Sequence, residues 1–469
     1  MENNKQANAE KEVKPLSKPL RFWYGIGDCT FTLMTNVETF YFNNFLTNVA
    51  MFAPNVAMTI STVASIIDAA LSWIYGAIIN AVKPGKWGRY RSWMILVPWI
   101  VPFIYAFEFI RIGEKPGLSA VLITLAAVVS HVVWNLPYAA NASLVAVAGK
   151  TPEQRQQLAS SRATWNNLAS VLFSYLGLPL ATVFAGILGA KYQWGAVAFV
   201  LGMTMVVGYW VHFKVTDGYE EIEDLSSGKQ SKTKASAGDM VRGLFQNPPL
   251  IVLIIADLPK WIVKFVVAAA AIYYFRDAAN RIGLQVTYVL VSGIMGVVGS
   301  FLAGILVKKF SSRTMMIGSL LIMALLMFLA YLSYANPILV MILVSLAMCG
   351  YGVCYAAAPA LYADTAVYAK WKTGKDNTGW IMGLQTVPLK VAVIIRSVVV
   401  NAVLIAVGYN AATYDFATAS ESVKQSLTIP FTLIPAIAVA VGGLLLLVGF
   451  RLTKEKVAEY QAEIDAREA

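Results

Sequence analysis

The 469 residues are 58% hydrophobic, with a mean hydropathy of +0.62. That is too apolar for a soluble globule and fits a chain that crosses a bilayer repeatedly. The net charge of +11 is not a nucleic-acid footprint, because its Lys and Arg residues fall mostly in the segments between membrane-length apolar runs.

Residues 1–22 are polar and charged, lack the apolar core and cleavage site of a signal peptide, and are expected to form a cytoplasmic segment. Twelve runs of about 20 or more mostly apolar residues follow. They fall at 23–52, 55–82, 92–112, 117–148, 160–188, 195–213, 249–275, 284–307, 314–334, 337–366, 378–408 and 427–451. The longest of them predict tilted or kinked helices. With the N-terminus inside, 26 Lys and Arg fall in cytoplasmic segments against six on the opposite side. This positive-inside asymmetry sets both termini in the cytoplasm. Cys29, Cys349 and Cys354 sit within apolar runs, give neither a metal-ligand spacing nor a disulfide framework, and read as small packing residues.

In chain order, the first run offers Asp28, Thr32, Thr35 and Glu38 across about 120° of a helix. Asp28, near its cytoplasmic end, suits a gate or a packing role. Glu38, deeper, fits either a cavity or a structural pair. The second run places Ser61, Ser65, Asp68, Ser72 and Tyr75 within a sector of about 80°, a polar stripe that should face a cavity or another helix. An ionised Asp68 at that depth costs several kcal/mol unless it is paired, hydrated or bound to a cation. Either an ion or proton pathway or a structural pair, with Lys390 as a candidate partner, would satisfy it. The loop K-P-G-K-W-G-R-Y-R that follows reads as topology and headgroup contact, or as a gating latch in which Arg89 or Arg91 pairs with carboxylates such as Asp364. It lacks the G-x-x-x-x-G-K-[ST] phosphate cradle, so ATP hydrolysis is not expected.

The fourth run sets His131, Asn135 and Tyr138 on one face, with Pro137 as a kink. Asn135 can donate to and accept from a hydroxylated ligand. His131 fits either titration or an interhelical hydrogen bond. The fifth run has Arg162 and, one turn on, Trp165. Trp165 and Tyr138 are the aromatics expected to stack on the apolar face of a ligand. The charged, Ser- and Gly-rich stretch 214–248 then divides the runs six and six. Two bundles, 23–213 and 249–451, joined by a cytoplasmic linker are the major-facilitator plan, with a site near the midplane. The seventh run carries Asp257, Lys260 and Lys264 within about 60°. The aspartate can neutralise one lysine at i,i+3 spacing, which leaves Lys264 in need of a partner. Arg162, Lys260, Lys264, Lys390 and Arg396 are five interior cations, and a cavity so supplied favours an anionic substrate. Residues 452–469 predict a short charged helix outside the membrane.

Five motifs in order resemble the glycoside–pentoside–hexuronide:cation symporters, the melibiose-carrier family. They are Y-G-I-G-D (Tyr24 to Asp28), D-A-A-L-S-W-I-Y-G (Asp68 to Gly76), W-G-R-Y-R-S-W (Trp87 to Trp93), A-D-T-A-V-Y-A-K-W-K-T-G-K (Ala363 to Lys375) and L-Q-T-V-P-L-K (Leu384 to Lys390). The resemblance runs from Arg21 to Arg451. It implies an all-α membrane protein of twelve transmembrane helices in two six-helix bundles, the major facilitator fold, carrying sugars with sodium, lithium or protons. By position, Asp68 matches the family's first cation-binding aspartate, Arg162 its fifth-helix arginine and Lys390 its eleventh-helix lysine. The departures are equally specific. Ser72 replaces a second carboxylate, Leu71 an amide, and Val132 a hydroxyl ligand; Thr32 and Asn135 stand at sugar-binding carboxylates, and Ala139 at a tryptophan. A hard cation wants about six oxygen ligands, so the expected coupling ion is a proton on Asp68, with sodium less favoured.

The expected function is therefore a proton-coupled symporter of a glycoside or acidic sugar such as a hexuronide. Asp68, Ser72 and Lys390 would serve coupling. Thr32, Asn135, Tyr138, Arg162, Trp165, Asp257, Lys260 and Lys264 would bind substrate, and Arg89, Arg91 and Asp364 would gate. No enzymatic activity, cofactor, metal or nucleic acid is expected. The expected setting is a bacterial cytoplasmic membrane, with lipid as surroundings and a functional monomer. The alternatives are a sodium-coupled or uncoupled neutral-sugar carrier, a carrier of an amphipathic lysolipid-like molecule, or a non-transporting membrane sensor.

Overall fold

The computed structural model describes residues 15–72, 75, 78–79, 82, 85–113, 115–149, 152–220, 244–306, 309–374 and 378–468. Lys83, most of the linker and the first fourteen residues lie outside them. Among the described residues the regular structure is helical, apart from one isolated bridge between Gly85 and Gly88. Each apolar run carries a helix: α1 Ile26–Asn44, α2 Pro54–Leu71, α3 Val101–Glu108, α4 Pro116–Ala148, α5 Pro152–Leu188, α6 Gln193–Val215, α7 Pro248–Ile272, α8 Gly283–Leu306, α9 Ser312–Leu332, α10 Pro337–Thr373, α11 Thr386–Ala406 and α12 Leu433–Gly449. The tail forms α13, Lys454–Glu468.

Local chemistry sets the starts. Helices α2, α4, α7 and α10 open on proline, whose missing N–H costs nothing in the first turn and whose fixed φ suits a helix. The side chains of Asn247, Ser311 and Asn336 accept from the backbone N–H three residues on, satisfying donors that the helix leaves orphaned. Prolines 137, 179, 259 and 359 lie inside α4, α5, α7 and α10, each removing one backbone hydrogen bond. The third run is divided into Arg91–Leu96 and α3, with Pro98 in the break.

Nine helices among the described residues are long and apolar enough to cross a membrane. Those that fall short of that standard are informative. α3 is shortened by the break, α1 holds Asp28, Glu38 and several asparagines, and α7 holds Asp257, Lys260 and Lys264. Helices α1 and α7 pack together, as do α2 with α11 and α5 with α8. These three contacts join the two halves. Within the second half, α8 and α10 approach so closely that a Cβ at Gly299 would lie 1.9 Å from the Cys349 carbonyl oxygen, and one at Gly352 would lie 2.2 Å from that of Gly296.

Helices α1 and α7 both finish in a π turn, Phe45–Val49 and Tyr273–Ala278. Each is followed by a non-glycine residue in the left-handed region, Met51 (φ 56°) and Asn280 (φ 50°). The two ends meet: Tyr273 Oη accepts from Asn43 Nδ2 (2.8 Å) and lies 2.7 Å from Thr47 Oγ1, and Arg276 donates to Asn44 (2.8 Å). Tyr409 adds a hydrogen bond to Asn48 (2.8 Å). The halves are thus clasped at the end away from the N-terminal residues and α13.

Candidate functional site

Asp68 is 9% exposed and lies at the seam between halves. Its Oδ2 pairs with Lys390 Nζ of α11 at 2.5 Å. Its Oδ1 accepts from Asn135 Nδ2 of α4 (2.8 Å) and from Tyr75 Oη (3.3 Å). Three helices therefore converge on one carboxylate, so Asp68, Lys390, Asn135 and Tyr75 of the sequence reading meet. Ser72 does not join them, because its Oγ donates to the Ala69 carbonyl (2.8 Å). The backbone carbonyl three residues back along its own helix is the nearer acceptor for it. Asn135 donates from Nδ2 to Asp68 and to the His131 carbonyl.

Ion pairs inside the protein claim four of the five interior cations among the described residues. Arg162 grips Asp28 with two hydrogen bonds, Nε–Oδ2 2.8 Å and Nη2–Oδ1 2.6 Å, and Asn141 donates to the same carboxylate. Lys260 pairs with Asp257, and both are buried to within 2%. Lys390 holds Asp68, and Arg396 of α11 holds Glu38 at 2.9 Å. Arg162, Asp257 and Lys260 were expected to bind substrate; their charge is spent at home, since a desolvated cation takes the nearest carboxylate.

Lys264 remains. No carboxylate pairs with it among the described residues. Its Nζ lies 5.7 Å from the Trp261 ring, 5.8 Å from Phe265 and 5.7 Å from Tyr351. It lines a cavity between the halves, formed by α1, α5, α7, α8 and α10. The space open to the centres of water molecules is about 80 Å³, room for several waters. Asn36, Asn166, Asn167 and Ser170 face Lys264 from the first half, and Tyr288, Tyr351 and Tyr355 from the second. Asn36 Nδ2 is buried without a hydrogen-bond partner.

Thr32, Tyr138 and Trp165 lie off this cavity. Thr32 accepts from Asn166 Nδ2 (2.8 Å) and so orients a wall residue. Tyr138 stacks on Phe31, ring centres 4.5 Å apart. Trp165 stacks on Trp23 (5.3 Å) and donates to the Phe22 carbonyl (2.6 Å), both residues of the short helix Lys18–Trp23. The latch expected of Arg91 is also redirected. Its guanidinium pairs with Asp217 (2.8 Å) and donates to the Phe213 carbonyl (2.9 Å), while Glu220 accepts from the backbone N–H groups of Tyr90 and Arg91. The loop is bolted to the end of α6 in its own half. Arg89 belongs to the same loop, and Asp364 lies half-buried on α10 of the other half.

Sequence reading missed the depth of one cluster. Glu38 joins His131 (3.0 Å) and Arg396 (2.9 Å), and Glu108 at the end of α3 lies beside them, wholly buried. His131 and Glu38 had been marked singly; nothing in the spacing shows that α3 and α11 bring Glu108 and Arg396 to them.

Residues 23–454 match the family model described as MFS/sugar transport protein. A putative sulfoquinovose importer of Salmonella typhimurium is 23% identical over 82% of this chain and 80% of its own length. An isoprimeverose transporter of Lactiplantibacillus pentosus is 22% identical over 89% of this chain and 85% of its own. A crystal structure of a D-xylose-proton symporter superposes with a TM-score of 0.65 at 12% identity, over 93% of this chain and 98% of that one, which shows the fold alone. With two helical halves meeting around a polar seam, this chain belongs to the MFS/sugar transport family and is a multi-pass secondary transporter.

Proposed function

We propose that this chain is a proton-coupled symporter of an anionic sugar, working by alternating access in a bacterial cytoplasmic membrane as a monomer with both termini inside. The observation that carries the anionic substrate is Lys264. A lysine at bilayer depth costs about 2.5–3.5 kcal/mol, and three rings at nearly 6 Å, the outer reach of a cation–π contact, attract the ammonium without supplying a counter-charge. A ligand carboxylate or sulfonate would complete its neutralisation. The amides of Asn36, Asn166 and Asn167 can both donate to and accept from ring hydroxyls, and Tyr288, Tyr351 and Tyr355 offer faces to the apolar side of a sugar. That one relative is described as a putative importer of a sulfonated sugar supports a permanently charged group. The isoprimeverose relative supports the second reading, a neutral glycoside held by the same amides.

Coupling in this proposal runs through Asp68. While Lys390 is docked, Asp68 is neutralised by a cation of the other half; when the halves part, a proton can take the lysine's place. Proton occupancy then differs between conformations, which coupling requires.

Counterflow into proteoliposomes with sulfoquinovose, glucuronate and isoprimeverose tests the substrate class. Lys264→Gln should weaken the anionic sugars about 10- to 150-fold, the loss of a charge-assisted hydrogen bond worth about 1.5–3 kcal/mol. It should spare isoprimeverose, and Lys264→Arg should retain part of the preference. Equal loss for charged and neutral sugars would sink the anionic reading.

A further inference from the structure

Glu108 is the last residue of α3, has no solvent exposure, and neither of its carboxylate oxygens has a hydrogen-bond partner. Three other helices close on it. α1 supplies Glu38, α4 supplies Ser130 and His131, and α11 of the other half supplies Arg396. Ligand atoms of Glu38, Glu108 and His131 all lie within 4.8 Å of one another. Glu38 uses one oxygen for Arg396 Nη2 and the other for His131 Nε2. His131 Nδ1 and Ser130 Oγ are buried and unpartnered. Tyr105, on the turn before Glu108, donates to the Met34 carbonyl and accepts from the Glu38 N–H, so its hydroxyl serves neither carboxylate.

Charge counting decides what such a cluster must hold. Two ionised carboxylates against Arg396 leave one negative charge uncompensated, and a lone charge this desolvated is too costly to persist. One proton, on His131 or on Glu108, makes the set neutral. A divalent ion would leave it positive and would sit against the Arg396 guanidinium that already occupies one Glu38 oxygen. The remaining neighbours do not supply the missing charge. Asp68 and Lys390 neutralise each other in the next pair along the seam, the Trp134 ring packs on His131 with centres 4.7 Å apart, and the ionisable groups of α6, Tyr209, His212 and Lys214, lie near its far end.

We propose that Glu38, Glu108 and His131 form a second proton-binding site, separate from Asp68–Lys390, whose proton affinity is set by the docking of Arg396 from the opposite half. Parting of the halves at this level withdraws the guanidinium, leaves the cluster one charge short, and draws in a second proton. Renewed docking expels it. The site is therefore a place where proton occupancy and the relation of the two halves are linked. Its use in coupling rests on the transport reading above; the existence of the site does not.

Infrared difference spectroscopy on the full-length protein in lipid, titrated through neutral pH without substrate, reads the site directly. The wild type should show a buried carboxylic-acid signal that Glu108→Gln abolishes, Glu108→Asp keeps at a shifted pH, His131→Gln shifts, and Asp68→Asn leaves in place. In proteoliposomes Glu108→Gln should cut accumulation driven by a pH gradient by about tenfold, within the usual range of a coupling energy, while counterflow continues. A signal unaltered by both Glu108→Gln and His131→Gln would overturn the assignment. So would loss of the acid signal on adding Zn²⁺ or Mn²⁺ alone, which would make this a metal site. An intact signal with no sugar counterflow by the wild type would sink the transport reading and leave the site standing.

Discussion

Replacing Lys390 with methionine removes the cation at the seam between α2 and α11 while keeping the bulk of its stem. Asp68 then retains Asn135 and Tyr75 as donors but no counter-charge. Stripping one partner from a fully buried pair costs about 3–5 kcal/mol. Here the lysine side chain is 23% exposed and the aspartate 11%, so water screens part of the interaction and the two remaining hydrogen bonds recover more. About 2 kcal/mol is a fair remainder. That penalty falls on the docked arrangement alone, because a parted seam lets water reach Asp68. The balance between docked and parted halves should therefore move about 30-fold towards parting. Spin labels at exposed Val63 on α2 and Val398 on α11, in a chain with Cys29, Cys349 and Cys354 replaced, would read it as growth of the longer of two distance populations. Asp68→Asn added to Lys390→Met removes the stranded charge and should restore most of the shorter population. An unchanged distance distribution in Lys390→Met, or a double variant displaced as far as the single one, would refute the reasoning.

Arg162→Gln should destabilise the protein by about 3–5 kcal/mol, because it leaves Asp28 with Asn141 alone; thermal unfolding in detergent should show the loss, and Asp28→Asn in addition should recover it. If the recovered double variant lost its preference for charged over neutral sugars, Arg162 would have to be returned to the substrate. Gly299→Ala drives a methyl group into the Cys349 carbonyl, so α8 and α10 must separate at a cost of about 1–3 kcal/mol. A variant as heat-stable and monodisperse as the wild type would show that the contact can yield without penalty.

The sequence marked the α2 stripe because its polar residues recur with helical period, and Ser61, Ser65 and Asp68 are indeed buried at 3%, 3% and 9% exposure. It marked Lys264 for a different reason: Asp257 can serve only one lysine on its face, and the structure gives it to Lys260. What stayed hidden depends on tertiary choice. Arg162 and Lys264 read alike as interior cations, yet one finds Asp28, 134 residues away in sequence, and the other finds aromatic rings and no carboxylate among the described residues. Periodicity shows which face a residue occupies, not which helix will cover it. The amides of Asn166 and Asn167 stand beside Arg162 and Trp165 on α5, but the more conspicuous pair turns to Asp28 and to the Phe22 carbonyl, while the plainer one lines the cavity. Glu108 carries no signal of its own in the third apolar run; the convergence of α1, α4 and α11 on the end of α3 makes it interior.

The paired π turns at the ends of α1 and α7 carry a consequence beyond the clasp they form. Each inserts a wider turn before a single left-handed residue, and in both halves the next helix begins three positions after that residue, at Pro54 and at Gly283. The local sequences, F-L-T-N-V-A-M-F-A-P and Y-Y-F-R-D-A-A-N-R-I-G, share almost nothing. A left-handed methionine or asparagine costs of order 1 kcal/mol or more, so such a pair is not a default of the chain. The agreement between the two halves is therefore one of conformation and not of local sequence.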